Sequence, residues 1–250
     1  MRRISILNFK GGTGKSSLAE NLSHALALTG QRVLVIDADR QGNASTTLLA
    51  GQASPTLTDV IKGQVTLMEA IKQARENLYV VPSDTNLDEA SAYLTGRRSA
   101  YYTLRNALQA LNRYTYILFD HAGAYTPVME ACLLASSEML IPCELESYAV
   151  QGLFSMFAKL QDTLSDHEIQ NAGIIPYNVD LRYAMARQYL KELRETFGEL
   201  ITAVIRTDAT VPRAQSVRQT VFEYDTHSKV AEDFRTLAAD LIETDQEVAP

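Results

Sequence analysis

Phe9-Lys10-Gly11-Gly12-Thr13-Gly14-Lys15-Ser16-Ser17 is a glycine-rich stretch between a short apolar run, residues 4–7, and a helical pattern that extends from Lys15 to Gly30. Glycines lack Cβ, so the backbone can curl until several N–H groups face one anion. The N-terminus of the following helix adds partial positive charge. A strand, a glycine loop and a helix in this order predict a binding site for phosphate groups.

The loop departs from the usual form G-x-x-x-x-G-K-[ST], because the position five residues before Gly14 is Phe9. It carries a second lysine, Lys10, near its start. Lys15 would reach the β- and γ-phosphates, and the Ser16 hydroxyl would ligate Mg²⁺. The alternative is an ordinary glycine turn before a helix. The position of Gly14 and Lys15, where a strand meets a helix, favours the nucleotide loop.

The stretch resembles the deviant Walker A box, KGGxGK[ST], of the ParA/MinD family of P-loop ATPases. The resemblance covers nearly the whole chain, from Arg3 to about Ile242. It implies a catalytic Lys10 that reaches across a dimer interface to the partner's nucleotide. It also implies that ATP is bound by Gly11, Gly12, Thr13, Gly14, Lys15, Ser16 and Ser17.

The composition restricts the class of protein. The chain has 250 residues, 46% of them hydrophobic and 21% charged, which is typical of a folded domain and not of a disordered segment. The net charge of −7 disfavours a uniformly basic surface, so any nucleic-acid contact needs a local patch. Cys132 and Cys143 lack C-x-x-C spacing and are interpreted as core residues in a reducing cytosol. We expect no transmembrane helix and no signal peptide.

Apolar strand patterns alternate with helical patterns along the chain. This alternation predicts one doubly wound α/β domain, with a mostly parallel sheet and helices on both faces. We place the domain at residues 1–243 and expect the acidic tail, residues 244–250, to be frayed. The predicted strands are 3–8, 32–37, 78–81, 116–120, 138–142, 172–177 and 200–205. The predicted helices are 15–29, 67–75, 87–94, 100–112, 127–136, 147–164, 182–197 and 228–243.

Two carboxylates follow the second strand, in Val33-Leu34-Val35-Ile36-Asp37-Ala38-Asp39-Arg40. Acids at i and i+2 of an extended chain point the same way, at the sheet edge where α/β proteins bind ligands. The alternative is a turn that caps a helix starting near Asn43. The segment is similar to the family's D-x-D-P-Q-x-N box, with Arg40 where proline is common. By that similarity Asp39 orients the attacking water and Asp37 holds Mg²⁺ through water.

Asp120 ends a third apolar strand, Tyr116-Ile117-Leu118-Phe119. It resembles the Walker B carboxylate, which would hold Mg²⁺ through water. The following His121-Ala122-Gly123 departs from the threonine or cysteine and two prolines usual in the family. We interpret His121 as a structural histidine, with a polar contact to nucleotide or water as the alternative.

Later loops hold candidate contacts to adenine and to DNA. Asn178 and Asp208 follow the sixth and seventh strands, and the resemblance implies adenine contacts there, although both could equally be turn residues. Basic residues on the dimer surface of ParA-type proteins bind DNA non-specifically. However, residues 180–235 contain nine Lys or Arg and nine Asp or Glu, so charge alone does not indicate DNA. The candidates are Arg187, Lys191, Arg206, Arg213 and Arg218.

These features lead to one functional expectation and three alternatives. The expectation is a ParA-type, Mg²⁺-dependent ATPase that forms an ATP-sandwich homodimer in the cytoplasm, on the nucleoid. It would bind DNA non-specifically, be stimulated by a ParB-like adaptor protein, and segregate plasmid or chromosomal DNA. The same cycle on a protein cargo, such as a microcompartment or chemosensory cluster, is the first alternative. A MinD-like membrane regulator, the second alternative, is disfavoured by the acidic tail. The third is a metabolic enzyme, either a P-loop ligase or an iron–sulfur reductase; the reductase is disfavoured because Cys132 and Cys143 lack the paired pattern that it needs.

Overall fold

The computed structural model describes residues 1–51, 53–164 and 167–248. Within these residues, eight strands form one sheet. They are β1 Arg2–Ile6, β2 Val33–Ala38, β3 Lys72–Arg75, β4 Leu78–Val81, β5 Tyr116–His121, β6 Glu138–Cys143, β7 Gln170–Val179 and β8 Ile205–Arg206. Their order across the sheet is β3-β4-β2-β5-β1-β6-β7-β8. The β3–β4 pair is antiparallel, whereas the other neighbouring strands pair in parallel.

Helices cover both faces of the sheet. They are α1 Lys15–Leu28, α2 Asn43–Leu49, α3 Leu57–Ile61, α4 Leu67–Ala70, α5 Leu87–Leu94, α6 Thr103–Gln109, α7 Pro127–Ala135, α8 Ala149–Thr163, α9 Ala184–Phe197, α10 Thr210–Ser216, α11 Val221–Tyr224 and α12 Lys229–Val248. Side chains of α1, α2, α11 and α12 pack on one face, and those of α3 to α9 pack on the other. The prediction of a doubly wound, mostly parallel sheet is confirmed.

Burial on both faces explains the apolar strands. Every residue of β2 and of β5 is buried, and a strand covered on both sides has little use for polar side chains. Cys132 and Cys143 are free and buried, as expected for core residues. Within the part of the chain that the structure describes, no helix has the length and hydropathy needed to cross a membrane.

The predicted helix over residues 67–75 is wrong in its second half. α4 ends at Ala70, and the chain then forms the edge strand β3, which pairs antiparallel with β4. Glu76 and Asn77 connect the two strands, with Asn77 in left-handed conformation (φ 57°). Asparagine tolerates this conformation better than most residues and is common in tight hairpins. The hairpin overrides the helical pattern because it extends the sheet beyond β4.

Other boundaries also differ from the expectations. Of the predicted strand 200–205, the structure retains β8 at its end and an isolated bridge between Ile174 and Ile201. α12 continues to Val248, beyond the predicted end at residue 243. The expected fraying of residues 244–250 stays a prediction, and its last two residues lie outside the described part.

The topology brings the candidate site together. β1 lies between β5 and β6, so the chain order reverses at β1, and open α/β sheets bind ligands outside the carboxyl ends of strands at such a point. The glycine loop leaves β1 here. In the neighbouring pair, Asp37 of β2 lies directly opposite Asp120 of β5. Two acids distant in sequence therefore become adjacent beneath the loop.

Candidate functional site

The loop between β1 and α1 presents the N-terminus of α1. Its turn uses left-handed backbone at Gly12 (φ 79°) and Gly14 (φ 85°), which glycine adopts without steric cost. α1 begins at Lys15, immediately after this turn. The unpaired N–H groups of the first helical turn and the helix dipole therefore favour an anion at this point.

Lys15 is turned into the loop. Its side chain is buried, and Nζ donates to the backbone carbonyl of Lys10 at 2.9 Å. Burial lowers the pKa of Lys15, while the negative charges of Asp120 and Asp39 raise it. The lysine thus lies between a carbonyl and two acids, within the loop that would hold phosphates.

A cavity of about 690 Å³ opens beside the loop. It brings together many of the residues predicted from the sequence, although their segments are far apart in the chain. The predicted residues that line it are Gly11, Gly12, Thr13, Gly14, Lys15, Ser16, Ser17, Asp39, Asn178, Arg206 and Asp208. A volume of this size is typical of a small-molecule or cofactor site.

Asp37 and Asp120 lie fully buried beside this cavity. Asp37 accepts hydrogen bonds from the Ser45 backbone N–H (2.8 Å) and hydroxyl (2.6 Å), yet burial raises its pKa to about 6. Burial and the charge of Asp37 raise the pKa of Asp120 well above its usual range, and the Ser16 hydroxyl lowers it. Neither Asp120 oxygen has a hydrogen-bond partner of ordinary geometry among the described residues.

This pair of acids fits a divalent cation. Two buried carboxylates with uncompensated charge are costly, and a cation is the usual compensation. Mg²⁺ prefers oxygen ligands and commonly takes one or two carboxylates together with substrate phosphates. The donor set of Ser16, Asp37 and Asp120 therefore suits Mg²⁺ next to a phosphate loop.

Asp39 lies at the rim of the cavity and is partly exposed. Its Oδ1 accepts a hydrogen bond from the backbone N–H of Gln41 at 2.9 Å, which fixes the carboxylate on a tight turn. The unusual Arg40 points away to α5, where it pairs with Asp88 at 3.1 Å on the surface. Arg40 in place of proline thus leaves both Asp37 and Asp39 at the site.

Lys10 lies outside the main cavity. Its Nζ contacts Glu146 at 2.8 Å and Glu144 at 3.1 Å, and hydrogen bonds to these two acids raise its pKa. The sequence gave no sign that these two glutamates hold Lys10. All three side chains are about one-third to one-half exposed, so the contact can open at small cost.

His121 belongs to the opposite face of the sheet from Asp120, because successive residues of a strand alternate. It is fully buried, its Nε2 lies 2.9 Å from the Ser5 hydroxyl, and burial lowers its pKa to about 3. This environment matches a structural histidine. Gly123, further along the same loop, approaches the glycine loop so closely that a Cβ would lie 3.3 Å from Gly11 Cα.

The adenine candidates have different environments. Asn178 has left-handed backbone (φ 58°) and is exposed at the cavity. Asp208 also lines the cavity, but its Oδ1 accepts a hydrogen bond from the Thr210 N–H at 2.8 Å. Asp208 therefore serves at least as a turn residue at the start of α10.

The five DNA candidates do not form one patch. Arg206 lines the nucleotide-sized cavity, and its guanidinium pairs with Asp233 at 2.6 Å. Arg187 and Lys191 line a separate groove of about 450 Å³ on α9. Arg213 and Arg218 are exposed near α10. Arg206 thus lies at the cavity and apart from the α9 groove, and DNA contact by any of the five stays a prediction.

Sequence reasoning missed several cavity residues. The most buried of them is Tyr177, whose hydroxyl donates to the Ser17 Oγ at 2.7 Å. Its position at the carboxyl end of β7 was the available signal, since that is the edge where ligands bind. Other missed lining residues are Gln41, Asn43, Gly123, Glu144, Thr207, Ala209, Val211, Pro212 and Gln215.

Comparisons with known proteins support the sequence resemblance. A family model described as an AAA domain matches residues 1–174. The chromosome partitioning protein ParA of Caulobacter vibrioides is 33% identical over 258 residues, covering 99% of this chain and 96% of that protein. The chromosome-partitioning ATPase Soj of Thermus thermophilus is 30% identical over 250 residues, covering 99% of this chain and 98% of that protein.

Solved structures show the same fold. Cyanothece apo McdA superposes with a TM-score of 0.84 at 25% identity, covering 96% of this chain and 99% of that one. The septum site-determining protein MinD of Pyrococcus horikoshii, solved with Mg-ADP, gives a TM-score of 0.81 at 24% identity, covering 99% and 98%. On the match of the family model and the full-length similarity to ParA and Soj, this chain belongs to the ParA/MinD family of P-loop ATPases, in its ParA-type branch.

Proposed function

We propose that this protein is an ATP-driven dimerisation switch that carries DNA. It binds ATP with Mg²⁺ and pairs with a second copy across the two nucleotides. The dimer associates non-specifically with DNA in the cytoplasm, and hydrolysis releases it. The observation that carries the proposal is the juxtaposition of a phosphate loop, a buried acid pair and a rim carboxylate around one cavity.

The loop supplies nucleotide binding. Backbone N–H groups of residues 11–17 and the N-terminus of α1 receive the phosphates. The Lys15 ammonium, which bonds the Lys10 carbonyl, is within the same loop and adds a cation for the β- and γ-phosphates. Asn178 and Asp208 stand at the far side of the cavity as candidates for the base.

Ser16, Asp37 and Asp120 would hold Mg²⁺, the two acids through water. The cation, when bound, neutralises phosphate charge that develops during transfer. Asp39 lies at the rim on a fixed turn, which suits a carboxylate that orients the attacking water. In this scheme the buried acids do not transfer protons. They hold the cation in place beside the phosphates.

Lys10 is the residue that each subunit would contribute to the nucleotide of its partner. It lies near the exposed Tyr148, beside a further cavity of about 380 Å³ at the start of α8. Its contact with Glu144 and Glu146 lies on the surface, so exchange for a partner's phosphates requires little desolvation. A ParB-like adaptor would then stimulate hydrolysis by completing this arrangement.

DNA contact is assigned to Arg187, Lys191, Arg213 and Arg218. Each is exposed on the C-terminal third of the chain. Because residues 180–235 balance their charges, binding by one copy would be weak. A dimer doubles the number of phosphate contacts, and binding to DNA then falls steeply as salt rises.

The test is a DNA shift assay with ATP or ADP across a salt series. We expect Asp39→Ala to shift DNA with ATP and to accumulate as a dimer, and Lys15→Ala to lose nucleotide binding, dimer and shift together. Lys62→Ala, a surface lysine paired with Glu89, is the matched control. Retained nucleotide affinity in Lys15→Ala would refute the phosphate loop. An ATP-dependent dimer that binds no DNA at low salt would refute the DNA role alone.

A further inference from the structure

Tyr177 connects strand β7 to the glycine loop. Its side chain is buried, and its hydroxyl donates to Ser17 Oγ at 2.7 Å. Its ring lies against Gly14, where a Cβ built on the glycine would be 2.3 Å from the ring carbon Cε1. The tyrosine therefore occupies the space that any side chain at position 14 would need, and it reaches past the loop to the first turn of α1.

Asn21, one turn further along α1, also contacts the Ser17 hydroxyl. Its Oδ1 accepts a hydrogen bond from the buried Val221 N–H at 2.8 Å, so the amide NH₂ group must face the other way. That group donates to the Ser17 carbonyl at 2.8 Å and lies 3.4 Å from Ser17 Oγ. The orientation of Asn21 is thus fixed by a backbone group of α11.

These two donors determine where the Ser17 proton can go. A hydroxyl has one proton to donate and two lone pairs that accept. Tyr177 donates to the oxygen at 2.7 Å, and the Asn21 amide approaches it at 3.4 Å, so two donor groups face its lone pairs. Burial raises the pKa of Tyr177, so the phenol is protonated at neutral pH, and in the 2.7 Å contact it donates to Ser17 Oγ. The Ser17 hydroxyl is left as a donor, and Ser17 lines the cavity.

We propose that Tyr177 is a positioning residue for the nucleotide phosphates: with Asn21, it orients the Ser17 hydroxyl so that its proton is donated to a phosphate oxygen. This inference rests on the proposed binding of a nucleotide in the cavity. The ring and the hydroxyl of Tyr177 have separate tasks. The ring supports the turn at Gly14, and the hydroxyl sets the direction of one hydrogen bond to an anion.

The test is a double-mutant cycle on ADP affinity, measured by calorimetry. Tyr177→Phe keeps the ring and removes the donor, and Ser17→Ala removes the hydroxyl that it orients. A hydrogen bond to a charged group is worth more than a neutral one, so we expect Ser17→Ala to weaken ADP binding on the order of tenfold and Tyr177→Phe several-fold. The double variant should be no weaker than Ser17→Ala alone.

The controls separate positioning from packing. Tyr114→Phe removes a hydroxyl from another buried tyrosine, one bonded to Arg113, and should leave ADP affinity unchanged. Thermal unfolding of each variant reports the loss of packing, which a cycle in affinity does not measure. If the effects of Tyr177→Phe and Ser17→Ala multiply, or if Tyr177→Phe changes stability but not affinity, the positioning role is refuted.

The failure of the proposed function would look different. Lys15→Ala would then keep its affinity for ADP, and neither Ser17→Ala nor Tyr177→Phe would change it. By contrast, loss of ADP binding in Lys15→Ala together with independent effects of Tyr177 and Ser17 would uphold the nucleotide site and overturn only the role of Tyr177.

Discussion

Glu20 offers a quantitative test of the electrostatics around the site. It lies on α1, 1% exposed, and burial raises its pKa to about 8; Thr47 and Gln215 lower it and the charge of Asp37 raises it. Neither carboxyl oxygen has a hydrogen-bond partner of ordinary geometry among the described residues. Glu20→Gln replaces this acid with an amide of nearly the same shape as the protonated carboxyl.

The sign of the effect follows from the two states. The folded protein keeps the Glu20 proton up to about pH 8, whereas the unfolded chain loses it near pH 4.5. Below pH 4.5 both states are protonated and Glu20 costs nothing. Above it, the unfolded state gains by ionisation, so the free energy of unfolding falls by about 1.4 kcal/mol per pH unit. The cost is about 3 kcal/mol at pH 7 and levels off above pH 8.

We therefore expect Glu20→Gln to be more stable than the parent by about 3 kcal/mol at pH 7 and equally stable at pH 4. The measurement is urea unfolding from pH 4 to pH 9, with chelator present and without nucleotide. Glu232→Gln, on the exposed side of α12, is the matched control and should follow the parent at every pH. Parallel curves for Glu20→Gln and the parent would refute the reasoning.

Two further predictions concern the loop. Gly14→Ala should weaken ADP binding and lower the free energy of unfolding by at least about 1 kcal/mol, because the added methyl group meets the ring of Tyr177. The measurements are urea unfolding and ADP titration, and the control is Gly63→Ala, which has a similar φ but open space around it. Equal losses in the two variants would contradict the clash. The double variant Glu144→Gln, Glu146→Gln should strengthen ATP-dependent dimerisation on the order of fivefold, because it frees Lys10 for the partner's nucleotide. Each exposed ion pair of Lys10 is worth up to about 1 kcal/mol. Sedimentation velocity measures this, with Glu195→Gln as the control, and a weaker dimer would contradict it.

The local sequence determined much of the fold because each signal had a local cause. Glycine loop, apolar run and helix adjoin each other between residues 3 and 29, and buried parallel strands are apolar on both faces. β4 and α5 have the predicted bounds, Leu78–Val81 and Leu87–Leu94. The hairpin of β3 was missed because an edge strand of four residues depends on its partner strand.

The same division applies to the site. Loop chemistry and the terminal acids of strands predicted Lys15, Asp39 and Asp120 as candidates, since residue type and position along a strand suffice for that. The grouping of Lys10 with Glu144 and Glu146 could not be predicted in this way. It depends on which strands lie next to β1, and the sheet order is a property of the whole chain.

By itself the sequence determined a phosphate loop, its two lysines and the strands that end in acids, because these are patterns of neighbouring residues. The tertiary structure alone decided that Asp120 is buried opposite Asp37, that Tyr177 reaches Ser17, and that Arg206, which lines the cavity, pairs with Asp233. Each of these contacts joins residues distant in the chain. Their energies depend on burial and direction, which exist only once the sheet is assembled.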